Sequence, residues 1–182
     1  SDPGSVVLSI GACRFDPNTD HIHEETFYTN LRIQPQLDAG LTVNGDTIRW
    51  WFSQNSEAIK ALLESPVHFP KPALQHFNEW FHTGGTFAWS HGSDFDLVLL
   101  KCLYKAFGFE RPPWAYRNAR DTRTLFALAP GYWEGRGSFV REETLLPNIP
   151  FVEHNALADA IQQARWVQYA FERLRLSRIP IA

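Results

Sequence analysis

The sequence predicts an α/β fold in which a mixed sheet, an antiparallel hairpin plus parallel strands, is flanked by helices. Two apolar, β-rich segments near the N-terminus are separated by a turn, which indicates the hairpin. Helical periodicity then alternates with short β-rich segments up to a long amphipathic stretch near the C-terminus. No linker or repeat divides the 182 residues, so we expect one domain over residues 1–182.

The hairpin strands are Val6–Phe15 and Thr26–Ile33, joined by a turn over Asp16–Asp20. A helical segment is predicted to begin at Asp46 or Thr47. The next two predicted helices lie before and after a proline break and span Ser56–Glu64 and Pro72–His82. The bulky residues of the second fall on one face at helical spacing.

The second half of the chain repeats the strand-then-helix order. A short strand over Thr86–Ser90 precedes a helix over Asp96–Phe107. A short helix over Thr122–Leu128 follows, and glycines and prolines predict an irregular stretch over residues 131–150. The longest predicted helix spans Asn155–Leu176.

The composition excludes two classes of protein. A hydrophobic fraction of 44% is too high for a wholly disordered chain, and no apolar run approaches the ~20 residues of a membrane helix. Cys13 and Cys102 lie far apart in apolar segments, as reduced core thiols do. Because the N-terminus does not resemble a signal peptide, we expect a cytoplasmic protein with no membrane partner.

Positive charge is concentrated in one segment although the formal net charge of the chain is -3. Arg111–Arg141 contains six arginines against two acidic residues, with four interleaved aromatic residues: Trp114, Tyr116, Tyr132 and Trp133. Arginine and aromatic side chains together suit phosphates and stacked bases. A solvated loop with hydrophobic anchors is the alternative interpretation.

The strongest chemical signal is His154 followed five residues later by Asp159. Five helical steps turn about 500°, so the two side chains converge only if His154 precedes the helix and Asn155 caps it. A carboxylate held on a helix is a good ligand for a hard cation, and an adjacent histidine can accept a proton from water. Asp96, at a predicted strand-to-helix turn, is a third candidate for the same cleft.

These residues resemble the motifs of the DEDD exonucleases over essentially the whole chain. The segments VVLSIGACRFD, IRWW, DTRT and HNALADA stand in the order of that family. The His-x4-Asp spacing resembles the DEDDh subgroup. Within it, the chain most resembles phage and prophage exodeoxyribonuclease VIII-like proteins and the related mycobacterial exoribonuclease.

The resemblance implies an RNase H-like fold and a 3′–5′ exonuclease that hydrolyses phosphodiesters of RNA or DNA at 3′ ends with two divalent cations. Asp96 and Asp159 match metal-binding catalytic aspartates, and His154 matches the general base. Oxygen ligands and the lack of a cysteine or histidine cluster favour Mg²⁺ or Mn²⁺. A homodimer is a further expectation from the resemblance.

One family motif has no counterpart here. The first strand of the family contains Asp-x-Glu, whereas Asp2 is followed by Gly4 at the matching spacing. Since the sequence contains no Met and begins at Ser1, we expect that the motif precedes Ser1 in the natural protein. The alternative function is a non-catalytic nucleic-acid-binding protein that kept the fold and lost this motif.

Other polar motifs give weaker signals. Ser93 lies in HGSDF rather than GxSxG, which argues against a serine hydrolase. We interpret His91 as a polar contact and Asp121 as a helix cap or a supporting residue. Trp50 and Trp51 are interpreted as core residues, with base stacking as the alternative.

Overall fold

The N-terminal hairpin begins a mixed sheet, as the sequence predicts. The computed structural model describes residues 2–54, 56, 59–60, 62, 66–129, 132–133, 138–139 and 155–174. Strand β1 (Ser9–Ala12) pairs antiparallel with β2 (Phe27–Leu31), and β3 (Val67–His68) pairs parallel with β2. The mixed pairing and the flanking helices confirm the predicted α/β class.

Two further strands form a separate parallel pair that matters for the site. Strands β4 (Ala88–Ser90) and β5 (Ala119–Asp121) pair with Ser90 opposite Asp121. Their carboxyl ends therefore lie side by side. A 3-10 turn over Tyr116–Asn118 leads into β5 at the other end of the pair.

The stretch predicted to be irregular contains regular structure in its described part. Strands β6 (Tyr132–Trp133) and β7 (Ser138–Phe139) pair antiparallel, so that prediction was wrong at these four residues. The remainder of 131–150 lies outside the described residues.

The helices with described bounds agree with most of the predicted segments. They are α1 (Gln34–Asp38), α2 (Gly45–Phe52), α3 (Pro70–His82), α4 (Asp96–Ala106), α5 (Thr122–Leu128) and α6 (Ala156–Leu174). Helix α1 was not predicted. The start of α2 is a correction, because the Asn44 side chain accepts hydrogen bonds from the backbone of Asp46 and Thr47 and so caps the helix earlier. Within the predicted 56–64 helix, the described residues are helical.

The core joins the hairpin to the helices on one side of it. Leu74, Phe77 and Phe81 of α3 pack in one cluster with Ile10 of β1 and Leu31 of β2. Helices α5 and α6 share a second cluster that contains Phe126, Val167 and Phe171. Leu97 and Tyr104 of α4 belong to the first cluster as well, and residues of β1, α4 and α6 line a common cleft.

Two details bear on the sequence interpretation. Trp114, grouped above with residues suited to stacking, is only 3% exposed and belongs to the core. Both Cys13 and Cys102 are free thiols, and burial raises the pKa of Cys13 to about 12. Among the described helices, none is long and apolar enough to cross a membrane.

Candidate active site

Gly11 in β1 allows the first turn of α6 to approach the sheet very closely. A Cβ atom at Gly11 would lie 2.2 Å from the backbone carbon of Ala156 and 2.2 Å from the nitrogen of Leu157. No side chain fits in that space, since nonbonded carbon contacts are ordinary at ~3.5–4.0 Å. The absence of a side chain at this residue therefore sets the position of the start of α6.

Asn155 fixes where α6 begins. Its side-chain oxygen accepts hydrogen bonds of 3.1 Å from the backbone nitrogens of both Leu157 and Ala158. The backbone nitrogen of Asp159 donates to the carbonyl of Asn155 at 2.9 Å. Asp159 consequently lies in the first turn of α6, above β1, and lines the cleft.

Asp96 reaches the same cleft from α4. It is the first residue of that helix and follows the loop at the end of β4. Burial raises the pKa of Asp96 to about 6; the charge of Asp159 adds to this effect and the charge of Arg123 opposes it. The two carboxylates therefore line one cleft, of about 1920 Å³, and interact electrostatically. Asp96 and Asp159 are brought together, whereas His154 lies outside the described residues.

Asp121 supports the loop between β4 and α4. Its carboxylate accepts hydrogen bonds from the backbone nitrogen of Ser93 at 3.1 Å and from that of Arg123 at 2.8 Å. Burial alone would raise the pKa of Asp121, but hydrogen bonds from backbone groups of Ser93, Arg123 and Thr124 outweigh it and lower this pKa. Asp121 is thus the cap of α5 and an anchor for the loop, as interpreted from the sequence.

His91 lies in the same loop and makes the polar contact expected of it. Its Nδ1 lies 3.0 Å from the hydroxyl of Thr122, and its ring packs near Phe126. Burial lowers the pKa of His91, the charge of Arg123 lowers it further, and Asp121 opposes both. Burial and the charge of Arg123 therefore favour the neutral form of this imidazole.

Ser90 is a cleft residue that sequence reasoning missed. It is the last residue of β4 and is 4% exposed, yet its hydroxyl has no hydrogen-bond partner among the described residues. Buried hydroxyls nearly always have partners, so one that lines a cleft is suited to a bound water or ligand. Its position at a strand end was the available signal.

Aromatic side chains border the cleft. Trp50 of α2 is 45% exposed and Phe95, next to Asp96, is 43% exposed; both line the cleft. The interpretation of Trp50 as a core residue was therefore wrong. Helix α2 buries none of its residues completely, so its aromatic side chains remain at the surface.

The donor set fits a hard divalent cation in its chemistry. Asp96 and Asp159 provide carboxylate oxygens, which Mg²⁺ and Mn²⁺ prefer. In the part of the chain that the structure describes, no group of three or more His, Cys, Asp or Glu side chains is placed to hold a metal ion. Asp96 and Asp159 are two described carboxylates that could contribute to such a site.

Comparison with known proteins gives one result about the family. No curated protein and no solved structure matches the chain. The model of the 3'-5' exoribonuclease Rv2179c-like domain matches residues 1–171, which include β1, both cleft aspartates and most of α6. This match covers most of the 182 residues. The chain belongs to the Rv2179c-like 3'-5' exoribonuclease domain family.

Proposed function

We propose that the protein is a divalent-cation-dependent 3′–5′ exonuclease that hydrolyses the terminal phosphodiester of a nucleic acid. The family indicates an exonuclease hydrolase, and a nuclease domain implies a nucleic acid substrate. The observation that supports the chemistry is the pair of carboxylates, Asp96 and Asp159, in one cleft. A carboxylate whose ionisation is made costly by burial and by a neighbouring acid is suited to a cation.

Asp96 and Asp159 would hold the metal, since both provide carboxylate oxygens that line the cleft. When bound, two divalent cations neutralise the phosphate and stabilise the attacking and leaving oxygens. His154 precedes the cap of α6 by one residue and is the proposed general base that accepts a proton from the attacking water. The orphaned hydroxyl of Ser90 is suited to orient a water molecule in the cleft.

The borders of the cleft support a nucleic acid strand as the substrate. Trp50 and Phe95 are exposed aromatic side chains on which unpaired bases can stack. Stacking tolerates any base, so these residues are compatible with both RNA and DNA. The family favours RNA.

Three finer proposals accompany this function. The His-x4-Asp spacing supports membership of the DEDDh subgroup, near the phage exodeoxyribonuclease VIII-like proteins. The free thiols Cys13 and Cys102 support a reducing, cytoplasmic compartment. A homodimer remains a proposal from the family resemblance.

An end-labelling assay on the full-length protein tests the function. RNA and DNA oligonucleotides carrying a 5′ label are incubated with Mg²⁺, with Mn²⁺ or with EDTA. The proposal expects progressive shortening from the 3′ end, release of mononucleotides and no reaction in EDTA. Shortening of 3′-labelled substrate from its 5′ end, or binding without cleavage in both metals, contradicts it; the second result supports the non-catalytic alternative.

A further inference from the structure

Arg123 brings a positive charge to the rim of the acidic cleft, because it directly follows Thr122, which lines that cleft. It is the second residue of α5, directly after β5, whose end lies beside the end of β4. Its guanidinium lies against the backbone of Gly92: a Cβ atom at Gly92 would be 3.2 Å from Nη1 and 3.3 Å from Cζ. Gly92 has a φ of 94°, a conformation that L side chains rarely adopt, so the glycine is required on two counts.

The guanidinium of Arg123 is exposed and makes no hydrogen bond or ion pair with any residue that the structure describes. The nearby acidic side chains do not accept hydrogen bonds from the guanidinium of Arg123. Asp121 accepts from Ser93 and from the backbone of Arg123, while Asp94 and Asp96 lie nearby without forming an ion pair with it. Five N–H donors therefore remain available at the rim of the cleft.

Other arginines of the chain show the contrast. Arg14 forms an ion pair with Glu25, and Arg120 donates to a backbone carbonyl and lies over the ring of Phe87. Those guanidinium groups have structural partners. Arg123 has none in the described part of the chain, although it is placed beside the candidate catalytic carboxylates.

We propose that Arg123 binds a phosphate group of the nucleic acid strand at the rim of the cleft. This inference rests on the proposed function, because it assigns the contact that holds the substrate there. A cleft with two carboxylates repels a polyanion, and a guanidinium at its rim offsets that repulsion. Its planar fork also matches two phosphate oxygens at once.

The opposite end of the β4–β5 strand pair provides a matched control for Arg123. Arg117 is also an exposed arginine, but it precedes β5. The adjacent Asn118 donates to the carbonyl of Thr86, at the amino ends of β4 and β5, whereas Asp96 and Arg123 follow their carboxyl ends. Arg117→Gln therefore removes the same charge at the opposite end of the strands.

Equilibrium binding of a labelled single-stranded RNA to the full-length protein in EDTA, over a range of KCl concentrations, tests the proposal. Arg123→Gln is expected to bind roughly 10- to 100-fold more weakly, as for loss of a charge-assisted hydrogen bond. The slope of log affinity against log salt should fall by about 0.7, the value for one phosphate contact on a single strand. Arg117→Gln should leave both quantities at the wild-type values.

Arg123→Lys separates the effect of the positive charge from that of the planar guanidinium group. It keeps the positive charge but not the fork, so it should keep the salt slope while binding more weakly than the wild type. Wild-type affinity and slope in Arg123→Gln would overturn the proposal, as would a lysine variant that loses the slope like the glutamine variant. The variants could show the expected binding pattern while the wild-type protein does not cleave RNA with Mg²⁺ or Mn²⁺. That result refutes the proposed exonuclease activity but supports the phosphate contact.

Discussion

Asp96 is an acidic side chain in a position where its negative charge is costly. Its pKa rises from an ordinary value of 3.8 to about 6, so the folded protein holds the Asp96 proton more tightly than the unfolded chain does. The cost of ionising Asp96 in the folded state is absent below about pH 4 and fully present above pH 6. It amounts to at most about 3 kcal/mol, and a bound cation would offset it.

Asp96→Asn should therefore stabilise the metal-free protein while abolishing hydrolysis. The neutral amide removes the ionisation cost, so we expect the free energy of unfolding to rise by about 1–3 kcal/mol at pH 7.5 and to change little at pH 4. Urea unfolding in EDTA at both pH values measures this change in the free energy of unfolding. Asp94→Asn, an exposed neighbour, is the control and should change stability by less than about 0.5 kcal/mol. A loss of stability in Asp96→Asn at pH 7.5 contradicts the assignment.

Asp159 and His154 are expected to differ in their effects on metal binding. A ligand supplies charge to the cation, so Asp159→Asn should weaken Mn²⁺ binding and abolish turnover together. A general base contributes typically ~10²–10⁴-fold to the rate without holding the metal, so His154→Ala should lose turnover and keep Mn²⁺ affinity. Calorimetric titration of the full-length variants, with mononucleotide release measured beside it, separates the two roles. Near-normal turnover in His154→Ala would mean that another group is the base.

At the scale of elements, the position of Asp159 depends on a close contact between a strand and a helix. The first turn of α6 lies directly over Gly11, and Asn155 caps the helix at that point. The sequence predicted the cap and the helix that follows it. It did not predict the contact, because a glycine in a β-rich segment gives no information about which element approaches it.

Gly11→Ala should displace the first turn of α6 and with it Asp159. The added methyl group meets backbone atoms at 2.2 Å, so either the helix or the strand must shift. We expect a destabilisation of about 1–3 kcal/mol, as for overpacking, together with a loss of activity. Gly45→Ala is the matched control, since nothing lies within 4 Å of a Cβ there. Thermal melting and mononucleotide release should leave the Gly45 variant near wild type, and equal losses in both variants would contradict the role of Gly11.

Short elements defined by tertiary pairing were the ones that the sequence did not reveal. Strand β5 consists of Ala119, Arg120 and Asp121, of which two are charged, and it exists because it pairs with β4. The longer helices α3, α4 and α6 were predicted to within two residues at either end. The buried faces of α3 and α6 repeat with helical period, which made these two recognisable. Asp121 was predicted as the cap of α5 since caps depend on local chemistry.

Across the whole molecule, the described part of the basic and aromatic segment identified in the sequence does not form one surface. Trp114 is in the core, Tyr116 and Arg117 lie before β5, and Arg123 lies after it beside the cleft. Strand β5 separates the residues that precede it from those that follow it. Counting charges along the sequence cannot detect this separation in space. The acidic pair, by contrast, could be anticipated because Asp96 and Asp159 both lie in the first turn of a predicted helix.

This division of the surface predicts which exposed aromatic residue contacts the substrate. Trp50 lines the cleft and is 45% exposed, whereas Tyr116 is 84% exposed at the far end of β5. If the nucleic acid lies in the cleft, Trp50→Leu should weaken binding of single-stranded RNA by roughly 5- to 150-fold, the range for loss of one stacked base. Tyr116→Leu should leave affinity within about twofold, despite the greater exposure of Tyr116.

Fluorescence anisotropy with a labelled RNA measures both affinities, and thermal melting of each variant shows that it is folded. Exposure alone ranks Tyr116 above Trp50 as a stacking surface, whereas the position of Trp50 in the lining of the cleft ranks them in the reverse order. A larger loss in Tyr116→Leu than in Trp50→Leu would place the nucleic acid at the amino ends of β4 and β5. The cleft between α4 and α6 would then need a different ligand to explain its paired carboxylates.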